Sequence, residues 1–202
     1  MPGNTASLAV LAKLGFRFTH EVPAAPGHHG WREHELAAAD YHGLPSLRPI
    51  RDDDLPVLFA HQRDPVAVRM AAFTAENPDD EAAFRKKMAR ILADTSSTNR
   101  AIVVGGEVVG NVMAFEMFGE RNVCYWLGRE HWGRGHAGAA LRAFLCEHDR
   151  RPLVARVVHD NAGSLKVLAR CGFVVTGEDE GFAHGRGGKV REILLRLDGP
   201  PA

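Results

Sequence analysis

Charge of one sign is missing from this sequence: Lys plus Arg and Asp plus Glu each number 25 in 202 residues. No basic excess exists to hold nucleic acid non-specifically, and there is no acidic tail. Long apolar runs are missing too, none approaching the 18 or more residues of a membrane span, so the expected protein is soluble and no membrane partner is expected. Cysteine is scarce. Cys124, Cys146 and Cys171 are odd in number and lack CxxC spacing, which argues against a disulfide framework or a zinc knuckle and fits a reducing cytoplasm; all three are expected as small core hydrophobes. Lys is rare beside Arg, occurring only at 13, 86, 87, 166 and 189, a composition that hints at a GC-rich bacterial genome. The 11 Pro and 21 Gly are spread along the chain, which excludes collagen-like and low-complexity readings, and 45% hydrophobic content suffices for one well-cored domain with some residues to spare. The apolar stretch Ala6 to Leu14 precedes Val22-Pro-Ala-Ala-Pro, but no positive charge leads it and Lys13 interrupts it, so it is not read as a leader peptide.

An internal repeat explains that stretch better. Asn4-Thr-Ala-Ser7-Leu-Ala-Val-Leu-Ala-Lys-Leu-Gly15-Phe16-Arg-Phe-Thr19 matches Asn161-Ala-Gly-Ser164-Leu-Lys-Val-Leu-Ala-Arg-Cys-Gly172-Phe173-Val-Val-Thr176 at 9 of 16 positions, with a constant offset of 157 residues. That offset is too long for a solenoid and about the size of a small domain. Two similar amphipathic helices would explain the leucines and the Gly but not the shared Asn and Ser. Residues 1–46 therefore read as an extension resembling the tail of a second copy, with a loop at Pro23 to Gly30 and a strand or helix over Trp31 to Tyr41.

From Leu47 the pattern becomes regular. Leu47 to Ile50 reads as a strand, and Asp52 or Asp53 as the cap of a helix carrying Leu55, Leu58, Phe59 and Gln62. Asn77-Pro78 reads as the start of the next helix, with Phe84, Met88, Ile91 and Leu92 as its apolar stripe. Arg100 to Val104, Gly105-Gly106 and Glu107 to Glu116 read as a hairpin, followed by a strand over Asn122 to Leu127, a loop over Gly128 to Ala137, and a helix presenting Leu141, Phe144, Leu145 and His148. Strand Leu153 to Val158, helix Ser164 to Arg170 ending at Gly172, and strands Phe173 to Thr176 and Val190 to Leu197 complete a mixed α/β or α+β architecture with a central sheet.

The stretch Trp132-Gly133-Arg134-Gly135-His136-Ala137-Gly138 lies between strand and helix. Such a loop offers unpaired N–H groups where the helix dipole adds partial positive charge, a setting suited to a phosphate, and Arg134 adds a charge-assisted donor. A tight strand-to-helix turn would use the same glycines. Known nucleotide loops fit poorly: no Lys lies between Lys87 and Lys166, as GxxxxGK would need, and the only acid at a dinucleotide-fold spacing, Asp149, falls at a helix end. A second constellation, Asn161 and Ser164, starts a helix after a strand. The two can cap that helix, and they can also present an amide and a hydroxyl to a ligand lying across the strand ends.

In this order, the motifs from Leu47 to Asp198 resemble the GNAT family of N-acetyltransferases, closest to the branch that acetylates ribosomal-protein N-termini. The family loop has the form Gln/Arg-x-x-Gly-x-Gly/Ala; Trp132 stands where Gln or Arg is usual, while Gly135 and Ala137 fit. The resemblance implies a mostly antiparallel splayed sheet flanked by helices, a domain over residues 47–198, and acetyl-CoA as cosubstrate. It implies that the amides of Arg134, Gly135, His136, Ala137 and Gly138 hold the pyrophosphate, and that pantetheine lies along the strand ending at Trp126, Leu127 and Gly128. Asn161 resembles the side chain that contacts pantetheine, and Ser164 the hydroxyl near the thioester sulfur, hence the candidate proton donor to the thiolate. The family fold implies direct transfer to an amine, on a protein N-terminus or a small molecule such as an antibiotic, without an acyl-enzyme.

The acceptor amine must be neutral to attack. An α-amine, with a pKa of about 7.7–8.0, is partly neutral at pH 7, whereas a Lys at about 10.4 needs a base. Glu116 is the first candidate base, acting through water, with Tyr125 and His159 behind it; each is also readable as an ordinary strand-end or loop residue. No metal is expected, because the histidines lack HExxH or paired-ligand spacing. The resemblance implies acceptor specificity in Asp52 to Asn77 and in a loop over Gly177 to Lys189, whose Glu178, Asp179 and Glu180 read as a solvated acidic turn or, alternatively, as acids that favour a cationic acceptor. Residues 1–46 leave two further readings open: a homodimer in which they pair with a second chain, and a non-catalytic acyl-CoA-binding module on the same scaffold.

Overall fold

A computed structural model describes residues 16–22, 31–36 and 43–199. The chain divides into two compact units, Met1–Leu44 and Pro45–Ala202. The first contains an antiparallel hairpin of β1 (Phe16–Val22) and β2 (Trp31–Leu36), so the part of Trp31 to Tyr41 that is described is a strand. The Ala6 to Leu14 half of the repeat and the loop at Pro23 to Gly30 lie outside the described residues.

The second unit carries a seven-stranded sheet. Its elements are β3 (Ser46–Arg48), α1 (Leu55–Arg63), α2 (Pro65–Ala71), α3 (Glu81–Ala93), β4 (Thr98–Val104), β5 (Glu107–Met117), β6 (Glu120–Leu127), α4 (His136–Glu147), β7 (Leu153–Val158), α5 (Ala162–Arg170), β8 (Val174–Ala183) and β9 (Gly188–Leu197). The strand order is β3-β4-β5-β6-β7-β9-β8, and every neighbouring pair is antiparallel except β6 and β7. Those two run parallel and pair only at Asn122 and Val154. Beyond that point β6 continues to Leu127 and β7 to Val158 with their facing edges unpaired, so the sheet splays open toward the C-terminal ends of both strands.

One face of the sheet holds the main core. Val112, Ala114, Val123, Leu141, Phe144, Leu145, Leu153, Leu168 and Leu195 form one buried cluster joining strands to α4 and α5, and the period of 2 in the strands meets the apolar faces of both helices. The apolar positions read for the α4 helix are buried, and His148 stacks on Phe144 just past its end at 5.5 Å. On the other face, α1 and α3 bury Leu58, Phe59 and Met88, with the Phe59 and Phe84 rings 5.3 Å apart.

Several local readings change. Asp52–Asp54 form a single 3₁₀ turn, and Asp54 turns back to Arg48 instead of capping α1 with its side chain. The third helix begins at Glu81, because Asp80 and not Asn77 caps it, accepting the Ala83 N–H at 2.8 Å; Asn77 closes a turn onto the Asp79 N–H. Helix α2 has no apolar periodicity to announce it in the sequence. Asp64 accepts the N–H groups of Val66 and Ala67, and Pro65 occupies the first helical position, where its missing donor costs nothing.

The segment read as a loop over Gly177 to Lys189 is mostly strand. Cross-strand ion pairs carry β8 and β9 out to a short turn at His184–Arg186: Glu178 with Arg191 at 3.3 Å, Glu180 with Lys189 at 3.5 Å, and Asp179 with Arg156 of β7. The three acids are therefore partnered and form no free patch for a cation. Of the cysteines only Cys171 is buried; Cys124 and Cys146 are exposed. Cys124 is reached by solvent yet closely surrounded, and that desolvation pushes its thiol up to about 11.

Candidate functional site

The open end of the splay and the start of α4 adjoin one another. Strand β6 leads through the turn Arg129–His131 into the glycine loop. The loop is pinned at its base: the Gly128 N–H donates to the Val109 carbonyl at 3.0 Å, the His131 N–H to Gly128 at 2.9 Å, and the Trp132 indole N–H to the Leu127 carbonyl at 3.0 Å. Gly135 caps α4 at φ +83°, a left-handed conformation that a side chain strains. A Cβ built on Gly133 or Gly135 would meet nothing within 4 Å, so the space above the loop is open.

The first intrahelical bond of α4 runs from the Ala139 N–H to the Gly135 carbonyl at 3.1 Å, which leaves the N–H groups of His136, Ala137 and Gly138 without helical partners. No acid lies in the first turn. His136 is buried there, and desolvation, followed by His131 and Arg134, lowers its pKa and keeps it neutral. Arg134 is exposed beside the loop. Arg142 joins it: its guanidinium lies 3.7 Å from where a Gly138 Cβ would be. No motif singles out Arg142, although a spacing of four from Gly138 puts it on the same helix face.

Trp126, Leu127 and Gly128 do not present a continuous backbone edge to the splay. In an antiparallel pair, alternate residues aim both backbone groups at the partner; Gly128 bonds to β5, Asn111 pairs with Trp126, and so Trp126 and Gly128 face β5. The outward groups belong to Leu127 and Tyr125, and the Leu127 carbonyl is already taken by Trp132. Open to the splay are the Leu127 N–H and the N–H and carbonyl of Tyr125. The Trp126 side chain instead ties β6 to α1, its indole N–H donating to the His61 carbonyl at 3.1 Å.

Asn161, Ser164 and Tyr125 come together. The Asn161 side-chain oxygen accepts the Ser164 N–H at 3.1 Å as the cap of α5, leaving its amide N–H₂ available, and the Tyr125 hydroxyl approaches the Ser164 carbonyl at 3.4 Å. Burial pushes Tyr125 up to about 12; it keeps its proton at neutral pH, which suits a donor and not a base. Glu116 is not brought to this group. It lies at the far, paired end of β5, half exposed, with its carboxylate 3.4 Å from Arg121, because the splay opens at the other end of β6. His159 is exposed just after β7, 3.4 Å from the Arg191 carbonyl.

The family of acetyltransferase (GNAT) domains matches residues 46–174. The chain belongs to the GNAT acetyltransferase family. As such it is an N-acetyltransferase. Solved structures with the same fold include Mycobacterium smegmatis RimJ in complex with CoA-disulfide, 20% identical over 78% of this chain and 83% of that one, with a TM-score of 0.66. A ribosomal-protein-alanine N-acetyltransferase from Brucella melitensis is also 20% identical, covering 76% of this chain and 99% of its own at a TM-score of 0.65. Spermidine N-acetyltransferase from Vibrio cholerae, with CoA and spermine, is 17% identical over 75% of this chain and 95% of that one, at 0.63. No curated protein matches the sequence significantly. Among the described residues of this GNAT chain, no helix is long and apolar enough to cross a membrane.

Proposed function

We propose that this enzyme transfers acetyl from acetyl-CoA directly to a primary amine, and to an α-amine in preference to a lysine-type amine. The observation that carries the cofactor half of this reading is the divergence of β6 from β7 directly before the glycine-lined start of α4. The amides of Gly135 to Gly138 hold the pyrophosphate with Arg134 and Arg142; pantetheine enters the splay and pairs with the free groups of Leu127 and Tyr125; and the Asn161 amide contacts it from α5. Ser164 and the protonated Tyr125 stand as donors to the departing thiolate. Their share of the rate is small, because a thiol of pKa about 8.5 already leaves as an anion, and positioning supplies more.

Direct attack is favoured over an acyl-enzyme because desolvation by the surrounding protein raises the thiols of Cys124 and Cys171 away from the thiolate form. The preference for an α-amine follows from the fate of the three candidate bases: Glu116 lies at the wrong end of β5, Tyr125 stays protonated, and His159 is exposed to solvent with its Nδ1 against the Arg191 carbonyl. An amine of pKa about 7.7–8.0 attacks without a strong base, whereas one of about 10.4 does not. The test is an acetylation assay comparing peptides with a free N-terminus against N-blocked peptides containing Lys. Turnover of the first series, rising with pH to a plateau near the amine's own pKa of about 8, is expected; equal or faster turnover of blocked Lys peptides would contradict the preference.

The first unit is the tail of a second acetyltransferase copy in the same reading. Its support is backbone geometry: the β1–β2 register shifts between Phe18 and His20, the β8–β9 register between Val175 and Gly177, so each hairpin bulges at the Thr that the repeat aligns, Thr19 and Thr176.

A further inference from the structure

We propose that His61, Glu130 and His131 form a binding site for a divalent transition-metal ion of the zinc class, which clamps the last turn of α1 to the turn leading into the glycine loop. The three residues were invisible as a group in the sequence, where His61 lies far from the other two; the contact between α1 and the end of β6 brings them together. His61 is buried, and Glu130 and His131 share the turn Arg129–His131. The Glu130 Oε1 lies 3.4 Å from the His61 Nε2 and 3.5 Å from the His131 Nε2. All three donor atoms fall within 4.8 Å of one another, the one such group among the described residues.

Those separations are long for charge-assisted hydrogen bonds, which measure about 2.7–2.9 Å. The two Glu130–imidazole separations match two edges of a tetrahedron around an ion whose bonds are about 2.0–2.2 Å, edges of roughly 3.3–3.6 Å. A second observation is that the backbone makes room for this convergence: a Cβ on Gly128 would lie 2.6 Å from the His61 Nε2 and 2.9 Å from the Glu130 Oε1. Any side chain there would displace two of the three donors. Helix α1 is meanwhile fixed at this point by the bond from the Trp126 indole to the His61 carbonyl.

The donor set selects the ion. Two imidazole nitrogens and one carboxylate oxygen suit zinc and its neighbours, whereas calcium and magnesium take all-oxygen shells. Three protein ligands leave a fourth position for water, and Glu130, 62% exposed, keeps the group in contact with solvent. The site adjoins the glycine loop, since Trp132 directly follows His131, but it does not depend on the assigned acceptor.

The test uses the full chain, stripped with a chelator and titrated with zinc chloride by calorimetry, with cobalt(II) absorption as the readout of coordination. One zinc per chain is expected, with a cobalt spectrum of four-coordinate nitrogen and oxygen ligands. Glu130→Gln and His131→Gln, both at side chains in contact with solvent, should each weaken binding by about tenfold or more with circular dichroism unchanged, while His184→Gln, an exposed histidine elsewhere, leaves it intact. A folded wild-type chain that binds no zinc, or binding retained by both site variants, would overturn the assignment and leave the three side chains as an ion-pair network.

Discussion

Tyr125 and Ser164 show how a single environment sets a residue's role. Tyr125 is held near 12 by burial, and its hydroxyl makes only a long contact with the Ser164 carbonyl, so it keeps the proton that the proposed donor role requires, and removing the hydroxyl is expected to disturb the fold little. Among the described residues the Ser164 hydroxyl has no hydrogen-bond partner, and its backbone N–H is bound by Asn161. Because the thiolate leaves without much assistance, Ser164→Ala is expected to lower kcat by about tenfold or less and Tyr125→Phe by a similar factor, at the low end of general acid catalysis or below it. The acetyl-CoA KM should stay within about twofold. Steady-state kinetics at saturating amine check this; a loss beyond roughly a thousandfold in either variant would make proton donation the dominant contribution and contradict the positioning account. Glu116→Gln should change little, since its carboxylate faces Arg121 and solvent.

Among elements, the junction of β3 and α1 rests on Asp54, which receives Arg48 through two bonds of 2.6 and 2.8 Å and the Arg51 N–H at 2.8 Å. The Arg48 hydrogen bonds hold its carboxyl below the ordinary range against the opposing effect of burial, with the Arg51 N–H helping. A carboxyl whose folded pKa is depressed contributes stability above its unfolded pKa of about 3.9 and loses it as pH falls through the lower folded value. Asp54→Asn should therefore cost about 2 kcal/mol near neutral pH, and the gap from wild type should close as denaturant unfolding is repeated at progressively lower pH below about 4. A gap independent of pH would assign the effect to packing. The same element scale shows what the sequence made legible. Gly105-Gly106 announced the β4–β5 hairpin, and β7 falls at the predicted Leu153–Val158, because short-range turn chemistry and an unbroken apolar run decide both. Helix α2 stayed hidden because Asp64-Pro65 reads equally as a break and as a cap, and β8 because Gly177, Gly181 and three acids look like a turn until Arg156, Lys189 and Arg191 pair with them. Candidate site residues carried by one local motif, Gly133 to Gly138 and Asn161 with Ser164, can be picked out from the sequence; which backbone groups of β6 face the splay cannot, since strand register is a tertiary property.

At the scale of the whole molecule, the family match over residues 46–174 starts with the compact unit Pro45–Ala202 and lies inside it, and among the described residues the main core cluster belongs to that unit. A chain of residues 47–202 is expected to remain folded, with a cooperative unfolding transition, and to bind acetyl-CoA as the full chain does; failure to fold would mean that residues 1–46 complete the domain and would sink their reading as the tail of a separate copy. The central claim, that the open splay and the glycine-lined start of α4 hold acetyl-CoA, is tested most directly by calorimetric titration of acetyl-CoA into the full chain and into Gly135→Glu. That substitution puts charge and bulk into the open space above the loop at φ +83°. The account predicts micromolar binding by the wild type, abolished in a variant whose circular dichroism is unchanged; a folded wild type that binds no acetyl-CoA, or a variant that binds it equally well, would contradict it.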